Sequence, residues 1–289
     1  MVRIEEDKCN NCGACIDVCP ALVIEEKNGA AVFVHSRSCI KCWHCVAVCP
    51  KGAVECGEFT LSEFPAISGL KPLPTPAAAR NLLLARRSVR EFKNERIPRE
   101  LLEEIVGIAS SSPTGHNAQA VRLAVISDKE LLEELDARIM KTFKKIIKAA
   151  ANPVSETVLK TVGADLFASM LADQKDAFER FEAADGDKRM HVFRGAPTLI
   201  VAHYGTDSLS GKDDCVIALR DISLMAEAHG LGCTWIGYLV AAAHIDPAIK
   251  KKLGVPLSDI LAQAVILGWP RRKYKRAIPR KPLNVKWID

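Results

Sequence analysis

The chain has 289 residues, of which 48% are apolar and 26% charged; these proportions are typical of globular proteins and argue against extensive disorder. Its apolar runs are too short for a membrane span, and its acidic start differs from the basic, then apolar, start of a signal peptide. Seven lysines and arginines with no acid among them lie between positions 271 and 281, so the net charge of +5 falls to −2 without them. We expect a cytoplasmic protein with two domains.

The cysteines are concentrated near the start of the chain. Nine of the eleven lie at or before Cys56, which indicates metal ligation in a reducing compartment and not a disulfide framework. Eight of them form an internal repeat, C-x2-C-x2-C-x3-C-P, whose second copy is displaced by 30 residues. The repeat comprises Cys9, Cys12, Cys15 and Cys19, followed by Cys39, Cys42, Cys45 and Cys49.

This spacing is typical of bacterial ferredoxins, in which the fourth cysteine of each run ligates the other 4Fe-4S cluster. We therefore expect Cys9, Cys12, Cys15 and Cys49 to hold one cluster, and Cys39, Cys42, Cys45 and Cys19 to hold the second. Two zinc sites are the alternative, but structural zinc usually takes two ligand pairs separated by a longer loop. Cys56 is left as a free thiol, and Trp43 and His44 are each expected to be a packing or a hydrogen-bonding residue near a cluster and not a ligand.

The segment between the two runs predicts a hairpin. Leu22 to Glu26 and Ala31 to His35 have the composition of strands, and Asn28 and Gly29 suit the positive φ angles of a tight turn. Residues 1–57 are thus predicted to form a small pseudo-symmetric ferredoxin-like domain. Residues 58–76 lose periodicity and gain prolines, so they are predicted to be a linker, with the second domain at 77–289.

Beyond the linker, longer helices alternate with short apolar strands, a pattern that predicts an α+β or three-layer α/β sandwich. The predicted helices are Ala77 to Arg86, Arg99 to Ser110, Asp128 to Ala150, Ser155 to Glu182 and Lys212 to His229. The predicted strands are Val121 to Ser127, Thr198 to His203, Cys233 to Leu239 and Gln263 to Leu267. The charged helices between Asp128 and Glu182 could be a lid or a solvated helical pair.

Three segments of this second domain could bind a cofactor. Residues 86–92 place three arginines and a hydroxyl within five positions, which suits a phosphate because guanidinium groups donate paired hydrogen bonds. Residues 111–119 form a loop of small and polar residues between a helix and a strand. Residues 230–237 lead from a helix end into an apolar strand, and the simplest interpretation of that segment is a helix cap followed by a core strand.

In this order and spacing, the three segments resemble the nitroreductase family, whose members bind FMN at a homodimer interface. The resemblance runs from about Leu82 to Leu283, including Ala196 to Val201 and Pro279 to Leu283, and implies a central, mainly antiparallel sheet flanked by helices. It implies that Arg86, Ser88 and Arg280 hold the FMN phosphate, with Arg90 near the N1/O2 edge of the flavin and Asn117 near its pyrimidine edge. Ile236 and Gly237 would place backbone atoms against the ring, and Arg87, Thr114, Gln119 and Trp235 complete the candidate FMN-binding residues. A cation at the N1/O2 edge would favour the anionic reduced flavin.

The sequence departs from the family pattern at several positions. Ala120 and Val121 stand where many relatives carry Pro-Trp, and Gly237 replaces an acidic residue of some relatives. Trp235 occupies the last glycine position of a near G-x-G-x-x-G motif, so no Rossmann nicotinamide site is indicated and NAD(P)H would have to stack on the flavin. His116 is a candidate acid or merely polar lining. Cys215 and Cys233 lie on core patterns and are expected to be inert.

These features, with the family resemblance, predict an FMN- and iron-sulfur-dependent oxidoreductase that passes electrons between two 4Fe-4S clusters and FMN to reduce a small organic acceptor. The resemblance implies that this acceptor is a nitroaromatic or a quinone-like compound. The electron donor would be NAD(P)H, or a ferredoxin or other electron-transfer protein. One alternative is an electron relay between partners without a small substrate; others are ene reduction or reductive dehalogenation. Nucleic-acid binding by the basic stretch is disfavoured because few aromatic residues interleave with its charges.

Overall fold

The computed structural model describes residues 2–34, 36–70, 73–150 and 192–288. The chain divides into two compact units: residues 1–77 with 116–118, and residues 78–115 with 119–289. The predicted domain boundaries at 57 and 76 stay a prediction, and the predicted helix Ser155 to Glu182 lies outside the described residues.

The first unit contains two antiparallel strand pairs and two short helices. In chain order the elements are β1 (Val2–Ile4), α1 (Ala14–Asp17), β2 (Ile24–Lys27), β3 (Ala30–Phe33), α2 (His44–Val48) and β4 (Val54–Cys56). Strand β1 pairs with β4, and β2 pairs with β3. The predicted hairpin is confirmed: Asn28 and Gly29 connect β2 and β3 with φ angles of 53° and 79°.

The cysteine repeat is also a repeat of backbone conformation. Positive φ angles recur at positions displaced by 30 residues: Asn11 and Lys41, Gly13 and Trp43, and Leu22 and Gly52. The residues before α1 and α2, Gly13 and Trp43, are both left-handed. The two halves therefore present their cysteines on loops of the same shape.

The second unit is built on a four-stranded antiparallel sheet in the order β5-β6-β8-β7. Its strands are β5 (Arg122–Ile126), β6 (Thr198–Tyr204), β7 (Gly232–Trp235) and β8 (Ile260–Gly268). All seven residues of β6 are buried, since this central strand is covered on both faces. The predicted mainly antiparallel sheet flanked by helices is confirmed.

Six helices of the described residues accompany this sheet. They are α3 (Pro76–Ala85), α4 (Arg99–Gly107), α5 (Lys129–Ala150), α6 (Gly211–Ala228), α7 (Gly237–Ile245) and α8 (Pro247–Lys252). One core joins α5, α7 and α8 to alternate sheet residues such as Leu199 and Ile266. A second core joins α4 and α6 to the intervening sheet residues such as Ile200 and Val265. The result is a three-layer arrangement with a core on each face of the sheet.

The four predicted helices that lie within the described residues are confirmed within a few residues, except that Arg99 to Ser110 ends as a 3-10 turn from Ile108. The predicted strand Cys233 to Leu239 is wrong beyond Trp235, because Gly237 begins α7. A short apolar run does not by itself distinguish a strand from a buried helix. Among the described residues, no helix is long and apolar enough to cross a membrane.

Candidate functional site

Four cysteines from both copies of the repeat line one cavity in the first unit. The cavity has about 330 Å³ of empty space, part of it open to solvent. Its lining includes Cys9, Cys12, Cys15 and Cys49. The fourth cysteine of the second run thus joins the first three of the first run, which is the grouping that the ferredoxin spacing predicts.

The remaining four cysteines of the repeat line a second cavity in the same unit, with about 350 Å³ of empty space, part of it open to solvent. They are Cys19, Cys39, Cys42 and Cys45. Much of the remaining lining is apolar and includes Val23, Ile24, Phe33 and Trp43. Each cavity therefore offers four soft sulfur ligands, the number and type that a 4Fe-4S cluster requires.

Backbone amides point at the cysteine sulfurs. Val23 N–H donates to Cys19 Sγ at 3.4 Å, and Ala53 N–H donates to Cys49 Sγ at 3.2 Å. These two contacts are related by the 30-residue repeat. Hydrogen bonds of this kind stabilise negative charge on a thiolate ligand. The backbone amides of these loops, like the cysteine sulfurs, therefore fit an iron-sulfur cluster.

The third cysteine of each run is shielded enough from water to change its pKa. Burial raises the pKa of the Cys15 thiol, and burial raises the pKa of the Cys45 thiol to about 11. Ligation would therefore have to release a proton from each of these sulfurs. Among the described residues, no group of three or more His, Cys, Asp or Glu side chains is placed to hold a single metal ion.

Three further cysteines lie outside both sets. Cys56 is buried, and its thiol donates to the Phe59 carbonyl oxygen at 3.3 Å. Burial raises the pKa of both Cys215 and Cys233 to about 12, so these thiols stay protonated near neutral pH. The expectation that Cys215 and Cys233 are inert agrees with these values.

In the second unit, two of the predicted cofactor-binding segments meet. Ser88 forms a parallel bridge with Cys233, and Val89 N–H donates to the Cys233 carbonyl oxygen at 3.1 Å. Gly232 permits this approach, because a Cβ atom there would lie 2.5 Å from the Val89 side chain. The arginine-rich segment 86–90 is thereby fixed at the sheet edge formed by β7.

The predicted arginines have cationic neighbours that the sequence analysis missed. Burial lowers the pKa of Arg220, and the charge of Arg86 lowers it further. Burial likewise lowers the pKa of Arg194, with a further contribution from the charge of Arg90. Cations that lie near each other and are partly shielded from water are stabilised by an anion. Arg220 lies on helix α6 next to the buried residues Leu219 and Ile222.

A neighbouring carboxylate belongs to the same region. Burial raises the pKa of Glu227, while the charges of Arg86 and Arg87 oppose that rise. Arg87 itself bonds to backbone, donating to the carbonyl oxygens of Leu84 and Arg86. Its Nε atom is buried without a hydrogen-bond partner.

Helix α6 anchors the polar loop 111–119 through two carboxylates. Buried Asp214 accepts Gly115 N–H at 3.0 Å and the Ser210 hydroxyl at 2.9 Å. Asp221 accepts the Ser112 hydroxyl at 2.6 Å. Spacing along the chain gave no signal for the contacts of Gly115 and Ser112, which join residues about a hundred positions apart.

The same loop adopts an unusual backbone. His116, Asn117 and Gln119 have φ angles of 53°, 54° and 48°. The Thr114 hydroxyl oxygen accepts Gln119 N–H at 3.1 Å. Non-glycine residues in the left-handed region cost on the order of 1–3 kcal/mol each and cluster at functional sites.

Residues 116–118 group with the first unit. Within it, the Asn117 amide donates to the carbonyl oxygens of Ile40 and Lys41, at 3.3 and 2.8 Å. The predicted place of Asn117 at the flavin edge stays a prediction.

The remaining predicted residues lie at the end of β7 and in the C-terminal segment. Trp235 is half-buried, and Ile236 is buried with its N–H donating to the Ala264 carbonyl oxygen at 2.9 Å. Gly237 is exposed, and a Cβ atom there would meet nothing within 4 Å, so open space adjoins its backbone. Arg280 is exposed, as are the other residues of 271–288.

Comparison with known proteins agrees with both units. The nitroreductase family model matches residues 83–269, which is more than half of the chain. The chain belongs to the nitroreductase family. A 4Fe-4S dicluster domain matches residues 1–50 and contains all eight cysteines of the repeat. The protein is therefore an oxidoreductase of the nitroreductase type that also carries an iron-sulfur domain.

Individual relatives resemble one or the other part of this nitroreductase. A putative NADH dehydrogenase/NAD(P)H nitroreductase of Archaeoglobus fulgidus is 22% identical over 190 residues, which cover 66% of this chain and 84% of that protein. Ferredoxin-2 of Desulfomicrobium norvegicum is 55% identical over 31 residues, 11% of this chain and 52% of that protein. The crystal structure of a Desulfitobacterium hafniense nitroreductase with bound FMN has a TM-score of 0.52 and 25% identity, covering 72% of this chain and 97% of that one.

Proposed function

We propose that this nitroreductase passes electrons between two 4Fe-4S clusters and FMN to reduce a small organic acceptor, either a nitroaromatic or a quinone-like compound. The observation that carries the proposal is the division of eight cysteines between two cavities, four to each, in the crossed grouping of a two-cluster ferredoxin. Membership of the nitroreductase family supplies the second half of the argument.

In the first unit, the proposed ligands are those that line the two cavities. Cys9, Cys12, Cys15 and Cys49 would hold the first cluster, and Cys19, Cys39, Cys42 and Cys45 the second. The amides of Val23 and Ala53, already directed at sulfur, would stabilise the negative charge of the ligated sulfurs.

In the second unit, the proposed FMN site begins at the arginine-rich segment. Arg86 and Ser88 would bind the phosphate, and the neighbouring charge of Arg220 would add to the attraction. Arg280 would join them, and its exposure in a single chain leaves it available to a second copy in a homodimer. Arg90, with Arg194 near it, would stabilise negative charge at the pyrimidine end of the flavin.

Other residues would position the ring. Asn117, Thr114 and Gln119 belong to the strained loop, and two α6 carboxylates fix the preceding residues of that loop. Ile236 and Gly237 would present backbone atoms to the ring, next to the open space beside Gly237. When bound, the clusters supply one-electron transfer and FMN supplies two-electron reduction of the acceptor.

The Archaeoglobus fulgidus relative is named for NADH dehydrogenase and NAD(P)H nitroreductase activity, so NAD(P)H is the first donor to test. The test is an anaerobic visible spectrum recorded before and after NADH or NADPH and again after an added quinone or nitroaromatic. Bleaching by the nicotinamide followed by recovery with the acceptor is the expected result. If dithionite bleaches the spectrum but NADH and NADPH do not, and the acceptor restores it, the donor would be a reduced electron-transfer protein. Failure of every acceptor to restore the spectrum would contradict the proposal and favour an electron relay.

A further inference from the structure

Position 13 of the first cysteine loop and position 43 of the second correspond in the repeat but carry very different residues. Gly13 has φ 73° and Trp43 has φ 58°, so the two backbones follow the same left-handed path. Glycine adopts this conformation freely, whereas a bulky residue rarely does. The burial of Trp43 therefore compensates for an unfavourable backbone.

The Trp43 side chain forms part of the wall of the second cavity. Only 9% of Trp43 is exposed, and it lines this cavity together with the second set of cysteines. Its ring meets Phe59 edge-on with centroids 6.4 Å apart, and Phe59 meets Phe64 in the same way at 6.2 Å. Trp43, which lines the cavity, is thus held from outside by a row of two further aromatic rings.

The first cavity has no such cover at the matching position. A Cβ atom on Gly13 would meet nothing within 4 Å, and Cys12 is exposed, whereas its counterpart Cys42 is only partly so. The residues lining the first cavity also include Asn10 and Asn11, where the second cavity has Ile40 at the position matching Asn10. Asn11 N–H donates to Cys9 Sγ at 3.4 Å.

We propose that Trp43 lowers the reduction potential of the cluster at the second cysteine set below that of the cluster at the first set. This inference rests on the proposed function. Reduction adds negative charge to a group already held by four thiolates, and an apolar, water-excluding wall disfavours that charge. Solvent and the backbone N–H of Asn11 favour it at the first set. If a single electron were added to the two clusters, it would reside mainly on the cluster at the first set, and the cluster at the second set would stay oxidised.

The charge of Lys41 opposes this difference, but its effect is weak. Lys41 lies within the second cysteine loop, and its cation would raise the potential of a nearby cluster. The Lys41 ammonium is exposed and forms an ion pair with Glu58, so the pair has little net charge and is screened by water.

The experiment is an anaerobic redox titration of the intact protein, followed by electron paramagnetic resonance, with iron counted on every sample. The wild-type protein is expected to show two cluster potentials. Replacing the indole in Trp43→Gly should raise the lower potential toward the upper one. The matched control, Trp43→Phe, keeps an aromatic wall and should leave both near their wild-type values. The reciprocal variant, Gly13→Trp, should lower the upper potential and does not depend on whether Trp43→Gly folds.

The outcomes separate this inference from the proposed function. A protein with about eight irons per chain whose two potentials coincide, or do not move in Trp43→Gly and Gly13→Trp, retains its clusters but contradicts the role of Trp43. A rise of the upper potential in Trp43→Gly would also overturn it. A protein without iron-sulfur signals would contradict the proposed function and, with it, this inference.

Discussion

Cys49 and Cys9 line the same cavity, although they belong to different copies of the cysteine repeat and stand 40 positions apart. Cys19, the counterpart of Cys49, lines the other cavity. Each run of four cysteines is therefore divided between two sites. The two sites are interdependent, because each takes its fourth sulfur from the other half of the unit.

This crossing predicts which pairs of cysteine substitutions remove the same cluster. Cys12→Ser and Cys49→Ser should each reduce iron from about eight to about four per chain, and combining them should remove no more. Cys12→Ser combined with Cys19→Ser should remove nearly all the iron, although both belong to the first run. Iron and sulfide analysis checks this, with Cys56→Ser as the control that keeps both clusters. Loss of nearly all the iron in the Cys12→Ser/Cys49→Ser variant, with about half retained in the Cys12→Ser/Cys19→Ser variant, would contradict the crossed grouping.

Replacing Arg86 should weaken the binding of FMN but not of riboflavin, because riboflavin lacks the phosphate that Arg86 is proposed to hold. Loss of a charge-assisted hydrogen bond, worth about 1.5–3 kcal/mol, corresponds to a rise in Kd of roughly 10- to 150-fold. Flavin fluorescence titration of Arg86→Ala measures both ligands. Arg80→Ala, an exposed arginine on α3, is the matched control. An equal loss for both ligands would place Arg86 away from the phosphate.

Asp214→Ala should destabilise the polar loop and, with it, the proposed FMN site. The substitution leaves the partly buried Gly115 N–H without its acceptor, a change worth at most about 1–3 kcal/mol, the cost for a fully buried donor. Asp213→Ala removes an exposed carboxylate from the same first turn of α6 and controls for its interaction with the helix dipole. Urea unfolding and FMN titration should show a larger loss for Asp214→Ala. Equal losses would mean that the Gly115 contact contributes little.

The ion pair between Arg138 and Asp246 should make stability depend on pH in the acid range. Arg138 donates two hydrogen bonds to Asp246, at 2.6 and 2.9 Å, and these lower the pKa of that carboxyl. A carboxyl with a lowered folded pKa contributes stability above its unfolded pKa of about 3.9 and loses it as the pH falls through the folded value. Wild type should therefore exceed Asp246→Asn in Tm at pH 6 and approach it below about pH 4. A constant difference between pH 6 and 3 would contradict this.

Features of the first unit could be predicted because they are encoded locally. The cysteine spacing forces a turn between consecutive sulfurs, and Asn28-Gly29 adopts the positive φ angles of a two-residue turn. Likewise, Gly230 ends helix α6 at a positive φ of 77°, in the position where glycine was expected to end it.

What the sequence did not reveal depends on contacts between distant residues. Arg194 and Arg220 are far in the sequence from the arginine-rich segment, so their place in the candidate site was not predicted. Folding brings them near Arg90 and Arg86, respectively. The apolar run after Trp235 satisfies a strand pattern as well as a helix pattern, and its three consecutive alanines favoured the helix that forms. Nothing in the sequence distinguished Asp214 from the other acidic residues, because its burial and its hydrogen bond to Gly115 depend on the fold.

The central claim, that one chain holds FMN and two 4Fe-4S clusters, is tested most directly by counting cofactors on anaerobically purified protein supplied with FMN, iron and sulfide. Iron, acid-labile sulfide, zinc and flavin are measured on the same sample. The account predicts about eight irons, about eight sulfides and about one FMN per chain. Zinc in place of iron, or a chain that retains no flavin, would contradict it.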